Sequence, residues 1–231
     1  MTRTIDLNAD LGEEVTDDAA LLAVVTSANV ACGYHAGTPE TMRFVCEEAA
    51  RLGVVIGAQV SYADRKHFGR RSLDIEPSLL REHVFEQVGL LCEIADSAGV
   101  TVSYVKPHGA LYNRVVTDED QAAAVLEGSG ELPVLGLPGG VLLSLAADAG
   151  RKVFREGFPD RHYLPDGRLV PRDKPGALVD DVAEIASNAV ALAPSVESVC
   201  VHGDSSDAVA AAHAVRRALE DAGWSLAPFA R

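Results

Sequence analysis

The chain has 231 residues, 48% apolar and 23% charged, and its 20 basic and 34 acidic side chains give a formal net charge of −14. A chain of this length holds one sizeable core. So acidic a surface favours solubility and repels nucleic acid and anionic membranes, which excludes both as partners. No run approaches the roughly 20 apolar residues of a membrane span. The first residues also lack a basic segment followed by an apolar one. The four cysteines, at 32, 46, 92 and 200, match neither zinc-site nor disulfide spacing. Three of them read as small core residues, whereas Cys32 leads into Gly33, Tyr34 and His35. The expectation is a cytoplasmic protein with a single domain over 1–231.

Short apolar runs alternate with longer helical patterns. Strands are predicted at 4–8, 29–32, 54–58, 101–106, 133–137, 152–157 and 198–202, with a further one at 225–229. Between them, Leu80, Val84, Val88, Leu91 and Ile94 recur every three or four residues and mark one face of a helix over 79–98. Val182, Ile185, Ala189 and Leu192 do the same over 180–193. The strands lack clean alternation, as expected where both faces are covered. Repeated strand–helix units imply right-handed crossovers and a parallel sheet, and seven or eight of them suggest a closed barrel. A doubly wound open sheet is the competing architecture, but the dinucleotide glycine pattern and the P-loop are both absent. Two long polar connections, 61–76 and 158–179, are of the length usually reserved for function or mobility.

Polar residues cluster where the predicted strands end. Asn8, Asp10 and Glu13 follow the first strand, His35 the second, and Gln59, Tyr62, Asp64 and Arg65 the third. Lys106 and His108 follow the fourth, Glu156, Asp160 and Arg161 the sixth, and His202 and Asp204 the seventh. A lone Asp after a strand is most often a helix cap. So many strand ends of one kind instead place an active site on the C-terminal face of a barrel. His67, His83 and His213 read as surface residues, and Arg70 with Arg71 as an anion site or a solvated pair. The residue types suit hydrolysis of an amide-like bond. Asp10 or His108 can serve as general base, and Lys106 can stabilise an oxyanion or a phosphoryl group. Asp10, His35, His108 and His202 also form a conceivable nitrogen–oxygen metal set without local ligand spacing.

These residues sit in long ordered motifs: "DLNADLGE" (6–13), "SANVACGYHAG" (27–37), "DRKHFGRR" (64–71), "VKPHGALYN" (105–113), "EGFPDRHY" (156–163), "DGRLVPR" (166–172) and "VCVHGD" (199–204). Together they resemble the LamB/YcsF family, whose members form the A component of prokaryotic ATP-dependent 5-oxoprolinase. The resemblance implies an irregular seven-stranded parallel (β/α) barrel of the glycoside hydrolase/deacetylase type. It also implies ring opening of 5-oxo-L-proline to L-glutamate coupled to ATP hydrolysis. ATP with Mg2+ would be handled together with partner subunits B and C, because the chain has no nucleotide motif of its own. On this basis Asp10, His35, Lys106, His108, Glu156 and Asp204 are expected to be catalytic. Asn8, Glu13, Gln59, Arg70, Asp160, Arg161 and His202 are expected to bind substrate, and no residue is assigned to a metal.

The chain departs from the family pattern in places. Where the family reads "GAHPSYPD", residues 57–64 read "GAQVSYAD". Gln59 therefore replaces a histidine, Val60 and Ala63 replace prolines, and Thr38 replaces the aspartate of "HAGD". Glutamine is neither acid nor base, though its amide can still hydrogen-bond. Loss of the prolines is expected to loosen 59–64, and the chain looks trimmed near 127–132 and between 173 and 198. Two alternatives follow: a stand-alone, metal-assisted amide or N-acetyl hydrolase, and a catalytically weakened ligand-binding paralogue.

Overall fold

In the computed structural model, residues 3–203 and 207–230 are described. Eight parallel strands are present: β1 (Arg3–Leu11), β2 (Ser27–Ala31), β3 (Val55–Val60), β4 (Val102–Pro107), β5 (Val134–Gly136), β6 (Val153–Gly157), β7 (Ser198–Val201) and β8 (Trp224–Leu226). β1 to β7 pair in sequence order, and β1 pairs with both β7 and β2, closing a seven-stranded barrel. β8 adds to the first residues of β1, at Arg3–Ile5. Helices cover the outside: α1 (Asp18–Leu22), α2 (Pro39–Leu52), α3 (Pro77–Ser97), α4 (Gly109–Arg114), α5 (Glu119–Gly128), α6 (Val141–Asp148), α7 (Val182–Leu192) and α8 (Ala208–Asp221). Among the described residues no helix is long and apolar enough to cross a membrane.

The helices pack by the stripes expected of them. In α3, Leu80, Val84, Leu91 and Ile94 are buried, and Gln87 lies in the same stripe. Its amide bonds the Ser61 backbone at both N (2.9 Å) and O (3.0 Å), tying the long loop after β3 to the helix. Thr38 caps α2 in a reciprocal box with Thr41. Threonine and aspartate are both good N-caps, so this departure from the family pattern preserves a structural role.

The prediction of strands without alternation is corrected by the barrel interior. β1 extends to Leu11, three residues past the predicted end, and its side chains alternate. Leu7, Ala9 and Leu11 join the apolar core against the helices. Asp6, Asn8 and Asp10 point into a polar column. Asp6 accepts from Thr26 (2.6 Å), Ser27 (2.6 Å) and Ser198. Asn8 donates to Ser198 (2.6 Å) and accepts from Asn29 (2.7 Å), while Asn29 donates to Asp10 (2.9 Å) and accepts from Tyr104 (2.7 Å). Gly57 makes room for the Tyr104 ring, since a Cβ there would lie 2.2 Å from it. The register between β3 and β4 shifts between Ile56 and Ala58, beside that glycine. At the base of the barrel, the Phe229 ring packs on Tyr104 and Phe154 at 4.7 and 4.6 Å.

Candidate active site

Asn8, Asp10, Gln59, Lys106 and Glu156 lie inside strands rather than after them. All are buried; Asp10, Gln59, Lys106 and Glu156 face the top of the column, and Asn8 lies a layer lower. Lys106 is the hub. Its Nζ is 2.9 Å from Asp10 Oδ1, 2.8 Å from Glu156 Oε1 and 3.3 Å from Cys200 Sγ, and it sits 5.3 Å from the Phe158 ring centre. Burial disfavours every charge here. For Asp10, however, the Lys106 ammonium outweighs burial, and the carboxyl is held well below the usual carboxylate range. Conversely, the Asp10 and Glu156 carboxylates outweigh the burial of Lys106 and keep it protonated. Burial pushes the Cys200 thiol well up, so it remains a neutral thiol. Tyr112 lies beside Glu156, and burial raises its phenol likewise.

A second dyad flanks this floor. His202 Nδ1 is 2.8 Å from Asp160 Oδ2, and the same oxygen accepts the His202 backbone N–H at 3.1 Å. Burial works against the Asp160 charge, but His202 prevails and its pKa is lowered. The His202 ring stacks on Phe158 at 5.1 Å.

The third group is formed by His35, His108, Glu13 and Gln59. The two imidazole rings stack with centroids 4.0 Å apart and planes 14° from parallel. His108 Nε2 is 3.2 Å from the Phe68 carbonyl and Nδ1 is 3.0 Å from Gln59 Nε2. Nε2 therefore carries the hydrogen and Nδ1 accepts. Burial, then His35, pushes the pKa of His108 well below the ordinary imidazole value, in keeping with a neutral ring. The loop 61–76 builds this corner. Gly69 adopts φ +65°, and a Cβ there would meet Ser61 Oγ at 2.3 Å and His35 Cβ at 2.9 Å, so glycine is required for the close approach.

These groups open into a cavity of about 760 Å³. Its floor includes Asp10, Glu13, Lys106, His108 and His202, its wall Tyr112, Leu137, Phe158, Leu164 and Leu169, and its border Arg70, Arg114, Arg161, Arg168 and Arg172. The loop 158–179 supplies much of the wall. Arg161 holds that loop, donating to Ala177 O (3.2 Å) and Val170 O (2.6 Å). Arg70 lies over the Phe68 ring at 4.9 Å.

Of the expected site residues, Asn8 lies one layer below the floor, and Asp204 falls outside the described residues. Cys32, singled out in the sequence, is a core residue with its thiol 3.1 Å from Val30 O. His213 is exposed, but His83 is half-buried against Tyr34 and His67 pairs with Asp64 at 2.6 Å. The sequence reading missed Asp6, Asn29, Ser198 and Cys200 inside the barrel, Tyr112 on the cavity wall, and Arg114, Arg168 and Arg172 at the mouth. Asp6, Ser198 and Cys200 had a signal in the alternation D-x-N-x-D at 6–10 and S-x-C-x-H at 198–202, whereas Asn29 and Tyr112 had none.

A closed parallel barrel with a polar column ending in a cavity at its C-terminal face is the architecture of barrel enzymes whose sites lie at that face. A polysaccharide deacetylase, Bc1974 from Bacillus cereus, shares the fold, with a TM-score of 0.56 at 15% identity over 98% of this chain and 92% of that one. The LamB/YcsF family model matches residues 5–231, and the chain belongs to that family. It is 52% identical to the 5-oxoprolinase A subunit of Streptomyces griseus subsp. griseus, over 98% of this chain and 100% of the relative. That alignment spans 249 positions, more than the 231 residues here, so segments of the relative are missing from this chain. The lactam utilization protein of Thermus thermophilus superposes with a TM-score of 0.90 at 34% identity, covering 98% of this chain and 100% of that one.

Proposed function

We propose that this chain is the A subunit of an ATP-dependent 5-oxoprolinase, a hydrolase that opens 5-oxo-L-proline to L-glutamate and works with partner subunits B and C. The observation that carries the reading is the buried Lys106, clamped by Asp10 and Glu156 at the floor of an arginine-bordered cavity. Identity to relatives named for that activity supports it.

A five-membered lactam resists water because its amide is resonance-stabilised. ATP supplies a phosphoryl group for the amide oxygen, which makes the ring carbon electrophilic. The chain's residues do the rest. The bordering arginines attract the substrate carboxylate and the phosphates. Lys106 faces the charge that develops on oxygen. Its Nζ donates to Asp10 and is in ion-pair contact with Glu156, and a further hydrogen meets only the Cys200 thiol, a weak acceptor. The hydrogen that meets the thiol is the one most readily given to a substrate oxygen. Asp160 holds His202 through Nδ1, which leaves Nε2 to take a proton from the attacking water and return it to the ring nitrogen as the C–N bond breaks. The acyl phosphate so formed is cleaved by a second water to L-glutamate and inorganic phosphate, ADP having left at the phosphoryl transfer. Gln59 keeps His108 oriented through its amide, so the loss of a histidine at 59 leaves the lysine and the His202 dyad intact.

The test is glutamate formation from 5-oxo-L-proline and ATP with this chain and its B and C partners, each omitted in turn. Product only from the full mixture supports the reading, and product without this chain defeats it.

A further inference from the structure

Beside the Lys106 floor lies a cluster that the lactam reading does not use. Glu13, His35 and His108 come from the ends of three different strands and are 6%, 1% and 6% exposed. Glu13 Oε1 is 3.4 Å from His108 Nδ1 and 3.6 Å from His35 Nε2, and one donor atom from each residue falls within 4.8 Å of the others. The His35 contact is too long for a hydrogen bond. Glu13 Oε1, both His35 ring nitrogens and Gln59 Oε1 are all buried without a hydrogen-bond partner. Native interiors rarely leave such atoms unpaired, and here adjoining residues hold four of them.

We propose that Glu13, His35 and His108 bind a divalent first-row transition ion of the Zn2+ class, with the Gln59 carbonyl oxygen as a neighbouring fourth donor. Two imidazole nitrogens and one carboxylate suit such an ion, whereas Mg2+ and Ca2+ prefer oxygen ligands and water. Donors about 2.0–2.1 Å from a tetrahedral zinc lie roughly 3.3–3.4 Å apart, close to the spacing of Glu13 Oε1 from each histidine. The outer partner is also in place. A ligating histidine usually donates its second N–H to a carbonyl or carboxylate, and His108 Nε2 does so to Phe68 O. That bond fixes the tautomer and leaves the Nδ1 lone pair for the ion. Gln59 now presents Nε2 to Nδ1 at 3.0 Å, and a half-turn of its amide brings Oε1 to the same place. The imidazoles are stacked, so ligation tilts His35 out of the stack, and no hydrogen bond to its ring opposes the movement.

This inference does not rest on the lactam reading, and its test needs no turnover. The full-length chain is stripped with chelator, then titrated with Zn2+ by calorimetry and with Co2+ by visible absorption, in the presence of excess Mg2+. One ion per chain is expected, with the Co2+ bands of low-coordinate nitrogen–oxygen ligation. Glu13→Gln and His35→Ala should each weaken binding by more than about 100-fold, and Gln59→His should tighten it. His213→Ala, at an exposed histidine, should change nothing. Circular dichroism verifies that each variant is folded. If Glu13→Gln, the isosteric change, stays folded and binds as the parent does, the assignment is wrong. It is equally wrong if the parent takes up no Zn2+, in which case the cluster is bridged by water.

Discussion

Lys106 Nζ stands 2.9 Å from Asp10 Oδ1, although 96 positions separate the two residues in sequence. Neither carboxyl at this floor has a second cation within ion-pair reach among the described residues. Lys106→Met should therefore leave Asp10 and Glu156 facing one another in a buried site, at a cost of about 3–5 kcal/mol. Denaturant unfolding checks this. Adding Asp10→Asn should recover much of the stability and none of the glutamate formation, because the positive charge is still missing.

The His202 dyad makes a separate prediction. Asp160→Asn removes the carboxylate that fixes the imidazole, so kcat should fall by roughly 100- to 10,000-fold. KM should change little, because the arginines of the cavity border are untouched. A steady-state comparison in the reconstituted mixture separates the two constants. A KM effect alone would make Asp160 a binding residue.

Thr38 tests whether a departure from the family pattern is structural. Thr38→Ala removes the side chain that accepts from Thr41 N at 3.2 Å and should cost about 1 kcal/mol. Thr38→Asp should stay within about 0.5 kcal/mol of the parent. Both should keep their activity. Thermal unfolding and turnover of the two variants decide the matter.

Asp6 makes the fold sensitive to pH. Burial raises its pKa to about 6, against the pull of hydrogen bonds from Ser198, Ser27 and Thr26. Its ordinary, unfolded value is about 3.9. Between these values the folded state holds the proton more tightly than the unfolded chain does. Its contribution is thus complete below about pH 4 and is lost as pH rises through about 6, by a few kcal/mol in all. Asp6→Asn should flatten that part of the stability–pH curve, whatever the substitution costs in hydrogen bonding. Urea midpoints from pH 4 to 7 provide the comparison.

The barrel was legible because its signals are local. Strand-like runs alternate with helical stripes, and every predicted strand coincides with or overlaps one that formed. The mouth was legible because Lys106, His108 and His202 follow directly on apolar runs. The polar column was hidden by the early end assigned to the first strand, at residue 8, which turned Asp10 from an inward side chain into a loop residue. Asp6, Asn29 and Ser198 looked like ordinary polar residues, since their meaning lies in contacts 19 to 192 positions away. The pairing of His35 with His108, and the arrival of Arg114, Arg168 and Arg172 at one cavity, depend on how the two long loops fold back, which no periodicity encodes.

The proposed function requires above all that this chain carry the ring-opening step. The most direct measurement is the ratio of glutamate formed to ATP consumed in the mixture with the B and C partners, comparing the parent chain with Asp10→Asn. One glutamate per ATP is expected for the parent, and loss of glutamate with Asp10→Asn while the variant remains folded. Glutamate formed at the parental rate by the Asp10→Asn mixture would contradict the proposal.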